Sequence, residues 1–458
     1  MRKRTSIAAL VAVLWAAPLA SQQTTLTVSQ VQQIAVAAIT AGDANVAVQA
    51  TAALLQRSPD SPGVLIVRTE AALLARDFDG AVGFGQRAFW NAGSNSQRFA
   101  AARLVALAYA EQGKDTRAQG WLRLARQNAA NAQARNDVAR DFRFLRARNP
   151  LSVNLRFGIA PSTNVNNGSA VGADEQVELD LGPLGVLPFT LSGDARALSG
   201  WGISGSADLR YRVRRDETSA TFVNLAISGR TYILTEGAQE QAGDGVDGSD
   251  FSDANLTFGI THRFILAEGM RPTTASLSFG QNWFGGDPNA RFWTASASQS
   301  WEISPKDTFI LSGSVQNQRS LTGNDPIKNY RVQGTWARNL DEWGSVGFSL
   351  ALQDSQSDNL DADYDGVRYG VNYSFPQPIA GIQFGLNYSY EERDFVASNF
   401  GPRDIDTIRS ASVRAVFTDL ELFGFQPVIN VERTVQESDT DLFDREFTNI
   451  GFDITSSF

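Results

Sequence analysis

From Leu151 onward, apolar and polar residues alternate with a period of two in one segment after another. Residues 152–159, for example, carry an apolar residue at every second position, with polar residues or glycine between them. This is the period of a β-strand with two different faces. The whole C-terminal region is therefore predicted to form one sheet system, whose apolar face must be covered either by a core or by lipid.

The predicted strands are long. Most have 10–16 residues, whereas strands of soluble sheets have about 5 or 6 and strands that cross a membrane at a tilt need about 9–11. There are fourteen of them, and bacterial barrels of one chain have an even number. The predicted strands are 151–160, 200–213, 217–232, 249–264, 272–284, 291–303, 307–318, 327–339, 343–354, 365–376, 380–393, 404–417, 424–436 and 446–458.

The connections alternate between short and long, as they do between the two ends of an outer-membrane barrel. One connection, 285–290, is short for this scheme. The predicted short turns are 214–216, 304–307 and 340–342, and the predicted long loops are 161–199, 233–248, 319–326, 354–364, 394–403 and 437–445. We therefore expect short periplasmic turns and longer external loops.

The two strand faces differ in chemistry. The apolar face carries Tyr and Trp near strand ends, which suits the aromatic girdles of a membrane barrel better than a soluble sandwich. The low mean hydropathy of −0.20 fits, because barrel strands are apolar only at alternate residues. The polar face is expected to line a wet lumen with Asn154, Arg156, Asp208, Arg210, Asn224, Asn372 and Arg414.

Residues 25–148 are rich in Ala, Gln and Arg and predict helices rather than strands. Chain breaks near Gly42, Arg76 and Gly113 are 34 and 37 residues apart. This is close to the tetratricopeptide period of paired helices, which stack to form a groove. About six helices of roughly 12–15 residues are expected, with a seventh near 134–147. A plain helical bundle without a repeat is the alternative.

The end of this region is basic. A positive collar at the periplasmic mouth of the barrel could receive an acidic client, but a solvated helix face explains the same charges more simply. The collar candidates are Arg135, Arg140, Arg143 and Arg146.

Residues 1–21 have the pattern of a signal peptide: three cationic residues, a short apolar run and small residues near Ala20. A retained anchor helix is the alternative. No stretch of 18 apolar residues follows, which excludes a helical membrane protein. The absence of cysteine excludes a lipid-anchored N-terminal cysteine and any disulfide. Residues 25–150 carry a net charge of +6 and residues 151–458 one of −18, so two domains, 25–148 and 151–458, are expected.

The sequence contains few of the residue groups that catalysis needs. His262 is the one histidine, so a His-based triad has no visible partners. Residues 361–366 imitate the start of a calcium loop, but Asn372 stands where the bidentate Glu would be. An acidic surface loop is the simpler interpretation. No phosphate-binding loop motif occurs. We therefore predict that the chain is not an enzyme and needs no cofactor or metal.

Two segments carry a family resemblance. Residues 156–169, RFGIAPSTNVNNGS, resemble the barrel start of the surface lipoprotein assembly modifier family, and residues 187–202, LPFTLSGDARALSGWG, are similar to that family's next segment. The order of signal, tetratricopeptide-like domain and fourteen strands to an aromatic terminus at Phe458 is similar as well.

The resemblance implies transport of surface lipoproteins, or of secreted haem-binding-type proteins, across the outer membrane. It implies a client protein, outer-membrane lipid and the barrel-assembly machinery as partners, with a periplasmic chaperone as a further one and no nucleic acid. An exopolysaccharide or solute export porin is the alternative, and an outer-membrane enzyme built on His262 is the weakest one.

Overall fold

The computed structural model describes residues 26–180, 185–323, 325–398 and 403–456. The predicted signal peptide, residues 1–21, and the terminal Phe458 lie outside the described residues. The chain divides into two compact units, and the division falls between Ala130 and Asn131.

Seven α-helices occupy most of residues 28–148. Five of them begin at a capping residue, Thr27, Asp43, Asp77, Ser94 or Asn131, whose side-chain oxygen accepts the backbone N–H three residues further on. The first helix ends at Gly42, which has the left-handed conformation common at helix ends. The helices are α1 (Val28–Ala41), α2 (Ala44–Arg57), α3 (Pro62–Leu74), α4 (Phe78–Asn91), α5 (Asn95–Glu111), α6 (Asp115–Gln127) and α7 (Ala132–Arg148).

The first six helices pack as consecutive pairs. Each contacts the next in sequence, and α1 also contacts α3 while α3 contacts α5. This is the stacking expected of a tetratricopeptide-like array, so the predicted helical class is confirmed. The seventh helix belongs to the same compact unit as the strands. Among the described residues, no α-helix combines the length and the apolar character needed to cross a bilayer.

Small residues form much of the helical core. Ala38, Ala47 and Ala71 are buried together, so the three helices that carry them approach closely. Between α4 and α5 the approach is closer still, because a Cβ atom on Gly85 would lie 2.5 Å from the side chain of Val105. The Ala-rich composition thus has a packing role as well as a helix propensity.

Fourteen strands form a closed antiparallel barrel, which confirms the predicted number and class. They are β1 (Leu151–Ser162), β4 (Gly200–Arg215), β5 (Ser219–Leu234), β6 (Asp253–Phe264), β7 (Thr273–Phe284), β8 (Asp287–Glu302), β9 (Asp307–Ser320), β10 (Ile327–Asn339), β11 (Ser345–Ser357), β12 (Tyr364–Ser374), β13 (Ile382–Phe395), β14 (Ile405–Phe417), β15 (Phe425–Ser438) and β16 (Arg445–Ser456). Strands β2 (Val177–Asp180) and β3 (Val186–Phe189) pair only with each other, inside the first long loop.

The connections after β1 and β5 are long, as predicted, but those after β9, β11 and β15 have only six residues, no more than the seven of the turns after β12 and β14. Strands β7 and β8 are joined by Gly285 and Gly286 alone, both with positive φ as a two-residue hairpin requires. This is the connection that looked short in the sequence. The helix α8 (Glu236–Ala242) lies in the second long loop and was not predicted.

The strand register fixes which residues share a face. Asn154 pairs with Asp208, and Arg210 pairs with Asn224, so these polar residues belong to one face of the wall. The residues between them, such as Val153, present large exposed apolar side chains on the other face. In a closed barrel the apolar face is the outer one, and a wall of this kind is the architecture of outer-membrane proteins.

Candidate functional site

On the inner face of the wall, polar side chains of the first three barrel strands are bonded to one another. Arg156 Nη2 lies 2.5 Å from Asp208 Oδ2, and Arg210 Nε donates to Asn224 Oδ1 at 3.2 Å. The ion pair is solvent-accessible, so its contribution to stability is small. The pair matters more for the net charge of the inner face, because the Asp208 carboxylate neutralises the positive charge of Arg156.

A cavity of about 580 Å³ lies against this face. Asn154, Arg156 and Arg414 line it, together with Arg230 and Asp453. A second cavity of about 390 Å³ shares Arg230 and Asp453 and reaches toward the long loops. The structure thus brings three of the predicted lumen residues to one place.

The remaining candidates are spread around the wall. Asp208 and Arg210 lie on β4 and Asn224 lies on β5, next to that cavity. Asn372 lies on β12, between Gly347 of β11 and Asn387 of β13, and does not line that cavity. The seven candidates share the inner face but do not form one cluster.

The closing seam of the barrel, between β1 and β16, is the most unusual part of the wall. All twelve residues of β1 pair with β4. Toward β16, the described residues are in register at only three pairs, Gly158–Asp453, Ile159–Phe452 and Ser162–Asn449. The seam is therefore closed by a short ladder.

The long-loop end of this seam is held by loop contacts. Thr163 N–H donates to the carbonyl of Thr448 at 3.3 Å, and Thr448 N–H donates to Thr163 Oγ1 at 2.9 Å. Beyond them, Ala170 N–H donates to the carbonyl of Asp444 at 2.7 Å. These bonds join the first loop of the barrel to the last one.

Toward the short turns, the last pair in register is Gly158–Asp453, and β16 is described only as far as Ser456. The cavity of about 580 Å³ is lined by Phe157 and Ile454 as well as by inward residues. Both belong to the outer face by register, and they face each other one step beyond the Gly158–Asp453 pair. The cavity therefore lies beside the last pair that the described residues of the two strands form.

An arginine cluster is buried under the long loops. The Arg403 side chain is 5% exposed, and its Nη2 lies 2.5 Å from Oδ2 of Asp406, which is 0% exposed. Gln436 donates to the same oxygen at 2.9 Å. The guanidinium carbon lies 3.9 Å from the ring centroid of Phe395 and 3.7 Å from that of Phe443. Four chain segments meet here: the end of β13, residues 403–406, strand β15 and the loop between β15 and β16.

The two segments that carry the family resemblance meet in the first long loop. The Asn166 side chain donates to the carbonyls of Asp194 and Arg196, at 2.7 and 2.8 Å, and accepts N–H of Leu198. Leu198 is fully buried beside Ala238 of α8. The loop thus has a small core of its own and is tied to the second long loop.

Acidic groups crowd the last long loop. Burial raises the pKa of Asp444, and the negative charges of Asp441, Glu437 and Asp406 raise it further, while N–H of Ser438 works in the opposite direction. The charged form of this carboxylate is therefore disfavoured, while Asp444 contacts the first loop through its backbone carbonyl.

The basic candidates lie on α7, and Arg135, Arg140, Arg143 and Arg146 are all exposed. Arg140 forms an ion pair of 2.6 Å with Asp137 on the same helix.

The residues considered for catalysis and for calcium binding lie in two different parts of the barrel. His262 lies on the outer face of β6, where its ring bonds Thr221 Oγ1 at 3.0 Å. Asp361 accepts from Ser398 at 2.6 Å and lies 3.6 Å from Arg403, so it belongs to the arginine cluster. Within the part of the chain that the structure describes, no group of His, Cys, Asp or Glu could hold a metal ion.

Comparisons with known proteins give structural likenesses only. No protein-family model matches the chain, and no curated protein matches it. Similar solved structures include "TPR2B-domain:pHsp70-complex of yeast Sti1", at 17% identity and TM-score 0.25 over 26% of this chain and 97% of that one. Others are a "Bacterial polysaccharide outer membrane secretin", at 10% identity and TM-score 0.32 over 66% and 98%, and the "TodX monoaromatic hydrocarbon channel deltaS2 mutant", at 8% and 0.36 over 67% and 89%. Likenesses this weak carry no conclusion about function.

Proposed function

We propose that this protein is an outer-membrane translocation device that moves client polypeptides, surface lipoproteins or secreted haem-binding-type proteins, to the cell surface. One observation carries the proposal: paired helices and a closed barrel with a polar inner face are joined in a single chain. Helix pairs of this kind bind peptide segments in a groove. The barrel supplies a route through the membrane.

The proposed topology has the helical domain in the periplasm, with the chain entering the membrane at Leu151. Helix α7 ends at Arg148, and β1 begins three residues later at the end of the barrel that carries the short turns. Short turns are periplasmic in outer-membrane barrels. The arginines of α7 then face the periplasm near that rim and attract acidic client segments.

Export of a polysaccharide or a solute is the second candidate. The water-accessible inner face, with Arg156, Arg230 and Arg414 lining one cavity, supports it. A porin of this kind would conduct ions strongly and would not need a peptide-binding domain. The helical array therefore favours the polypeptide client.

A surface-exposure assay tests the proposal. The protein is expressed with a lipoprotein encoded beside it, and intact cells are treated with protease. We expect the lipoprotein to be cleaved only when this protein is present. Unchanged cleavage across several such lipoproteins would overturn the proposal and leave conductance and secreted polysaccharide to be measured.

A matched pair of tryptophans sharpens the assay. Trp90 on α4 is 73% exposed and Trp343, in a short turn of the barrel, is 74% exposed. Exposed aromatic side chains are frequent hot spots of protein binding. Trp90→Ala is expected to lower display severalfold and Trp343→Ala to leave it unchanged. Equal effects would argue against capture by the helical domain.

A further inference from the structure

Three equivalent positions of the helical array lie in a row on α1, α3 and α5. Each helix pair turns at a residue with positive φ, and these turn residues are 34 and 37 positions apart: Gly42, Arg76 and Gly113. The residue six positions before each turn therefore has the same place in its own helix pair. These three residues are Val36, Glu70 and Leu107.

The burial of the neighbouring residues fixes the direction of this row. The residue just before each of the three has at most 2% of its surface exposed: Ala35, Thr69 and Ala106. In contrast, Val36 and Leu107 are 46% and 48% exposed, and Glu70 is half-buried. The row thus lies beside the helical core, on a side that water reaches.

The packing of the helices places this row on the inner side of the array. Helix α3 contacts both α1 and α5, whereas α2, α4 and α6 contact one another less. An array of helix pairs curves toward the helices that approach each other more closely, so the surface of α1, α3 and α5 is concave. On α3, Ile66 and Leu73 are four residues before and three after Glu70, on the same side of the helix, and both are partly buried. The surroundings of Glu70 are therefore apolar.

Glu70 is an acid without a partner on this surface. Among the described residues its side chain forms no ion pair and no hydrogen bond, and burial raises its pKa with no neighbouring cation to lower it. Arg68, on the same helix, donates from Nη1 to the carbonyl of Val48 on α2 at 2.9 Å. The guanidinium carbon of Arg103 on α5 lies 5.7 Å from the ring centroid of Phe99. Helix α1 has no charged residue.

We propose that the concave surface of α1, α3 and α5 binds an apolar polypeptide segment of the client through one Lys or Arg side chain that pairs with Glu70. The inference rests on the polypeptide transport proposed above and names the class of segment that the helical domain receives. A bound segment removes the Glu70 carboxylate further from water, which is costly unless the segment supplies a cation. Charge complementarity therefore selects lysine or arginine over a neutral or acidic residue.

The spacing of the helices sets the spacing of residues in the segment. Packed helices are about 8–10 Å apart, and an extended chain rises about 3.3 Å per residue. A segment that crosses the three helices with its cation at Glu70 therefore brings residues about three positions before and after that cation to Val36 and Leu107. The expected segment has one Lys or Arg with an apolar residue at this distance on either side.

The test measures peptide binding by the full chain in detergent. The probe is a fluorescent peptide with a single lysine, a leucine three residues before it and another three residues after it, in a background of glycine and serine. Two further peptides carry glutamine or glutamate in place of the lysine. We expect the lysine peptide to bind more tightly than the glutamine peptide by about fivefold or more, and the glutamate peptide to bind least. Equal affinities for the three peptides, or no measurable binding of any of them, would overturn the inference.

Glu70→Gln removes the charge and keeps the size and the helix propensity of the side chain. Its affinity for the lysine peptide is expected to fall to that of the wild type for the glutamine peptide. Asp60→Asn is the control, because it makes the same charge change outside the concave surface, where Asp60 pairs with Arg87 of α4 at 3.1 Å. Equal losses in the two variants would assign the effect to the net charge of the domain and contradict the site.

Charge reversal distinguishes pairing from an effect on folding. Glu70→Lys is expected to lose the lysine peptide and to bind the glutamate peptide, a gain that a merely structural role of Glu70 would not produce. Failure of the glutamate peptide to bind this variant would contradict the pairing.

The apolar part of the surface is tested at Leu107. Leu107→Ser is expected to weaken binding of the lysine peptide severalfold, and Val46→Ser, at a position on α2 that is 41% exposed, to leave it unchanged. Equal weakening by the two variants would contradict the concave surface as the binding face.

The surface-exposure assay separates this inference from transport itself. We expect Glu70→Gln to lower display of the lipoprotein severalfold and Asp60→Asn to leave it unchanged. Display by the wild type without discrimination among the three peptides overturns the binding site while transport stands. Discrimination among the peptides without display by the wild type overturns the proposed transport while the binding site stands.

Discussion

At the long-loop end of the seam, hydrogen bonds from Thr163 and Ala170 join the first barrel loop to β16 and the loop that precedes it. At the short-turn end, β1 and β16 face each other without register beyond Gly158 in the described residues. The contacts of the first end come largely from loops, and the ladder between the strands is short. The described part of the seam is therefore held by loop contacts as well as by strand pairing.

The same contrast holds for charge. Under the long loops, Arg403 and Asp406 are buried and bonded to several chain segments. On the inner face near the seam, Arg156 and Asp208 form a pair that water reaches. A buried pair is strongly destabilised when one partner is lost, whereas an exposed pair contributes little. The loop side therefore depends on its ion pair for stability, whereas the lumen near β1 does not.

The largest expected effect is at the arginine cluster. Arg403→Met leaves Asp406 buried without its cation, which costs on the order of 3–5 kcal/mol. We expect amide exchange in loop 439–444 of the full chain in detergent to become more than a hundredfold faster. Arg409→Met is the control, because Arg409 and Glu437 are 47% and 54% exposed and their pair is worth less than about 1 kcal/mol. Similar exchange in both variants would show that the cluster does not hold the loops.

A smaller effect is expected from restoring the donor that the seam lacks. Pro161→Ala adds an N–H directed at β16, and a hydrogen bond contributes about 0.5–1.5 kcal/mol net. Part of this is offset by the greater freedom of the unfolded chain, about 0.4–1 kcal/mol. Amide exchange in residues 446–456 is expected to slow several-fold.

Pro427 on β15 provides the control for this change. Its partner on β16 is Ile454, and the alternation that directs Ile454 toward β1 directs the nitrogen of Pro427 away from β16. Pro427→Ala should therefore leave exchange at the seam unchanged. Slower exchange at the seam in both variants would mean that the effect comes from losing proline and not from the added bond.

The sequence was sufficient for the parts of the fold that follow from repetition. Fourteen strands and seven helices were predicted from periods of two and of about 34 residues, because those periods set which face each residue shares. The hairpin of β2 and β3 and the helix α8 were missed, because four and seven residues in a loop show no period. Pro161 indicates weaker strand pairing from the sequence alone, because proline has no N–H to donate. Which neighbouring strand loses the hydrogen bond depends on the side that its nitrogen faces, and only the structure shows this.

The arginine cluster lay beyond sequence reasoning altogether. Arg403, Asp361 and Phe443 come from three loops that meet only because the barrel closes. Acidic residues in these loops looked like a solvated surface, and Asp361 in particular resembled part of a calcium loop. In the structure its carboxylate faces Ser398 and the buried guanidinium. Neighbours of this kind are set by topology, which spacing along the chain does not reveal.

The lumen offers a subtler test of the exposed pair. Asp208→Asn leaves Arg156 without its anion beside the cavity, so the barrel is expected to shift toward anion selectivity. The reversal potential across a planar bilayer with a salt gradient measures the shift. Asp216→Asn makes the same charge change in a turn, where Asp216 pairs with Arg214. A shift of equal size in both variants would place Arg156 outside the ion path.

The smallest effect is expected at Asp444, whose partly buried carboxylate lies at the long-loop end of the seam. Because burial raises the pKa of Asp444 above its ordinary value, the folded loop binds the proton more tightly than the unfolded one. The stability it contributes is present at low pH and is lost as the pH rises from about 4 through the raised pKa. Asp444→Asn keeps an acceptor for Ser438 N–H and removes the titration. Amide exchange in loop 439–444 should therefore match the wild type at pH 4 and be slower than the wild type at pH 7. A difference of the same size at both pH values would mean that the carboxylate does not weaken this end of the seam.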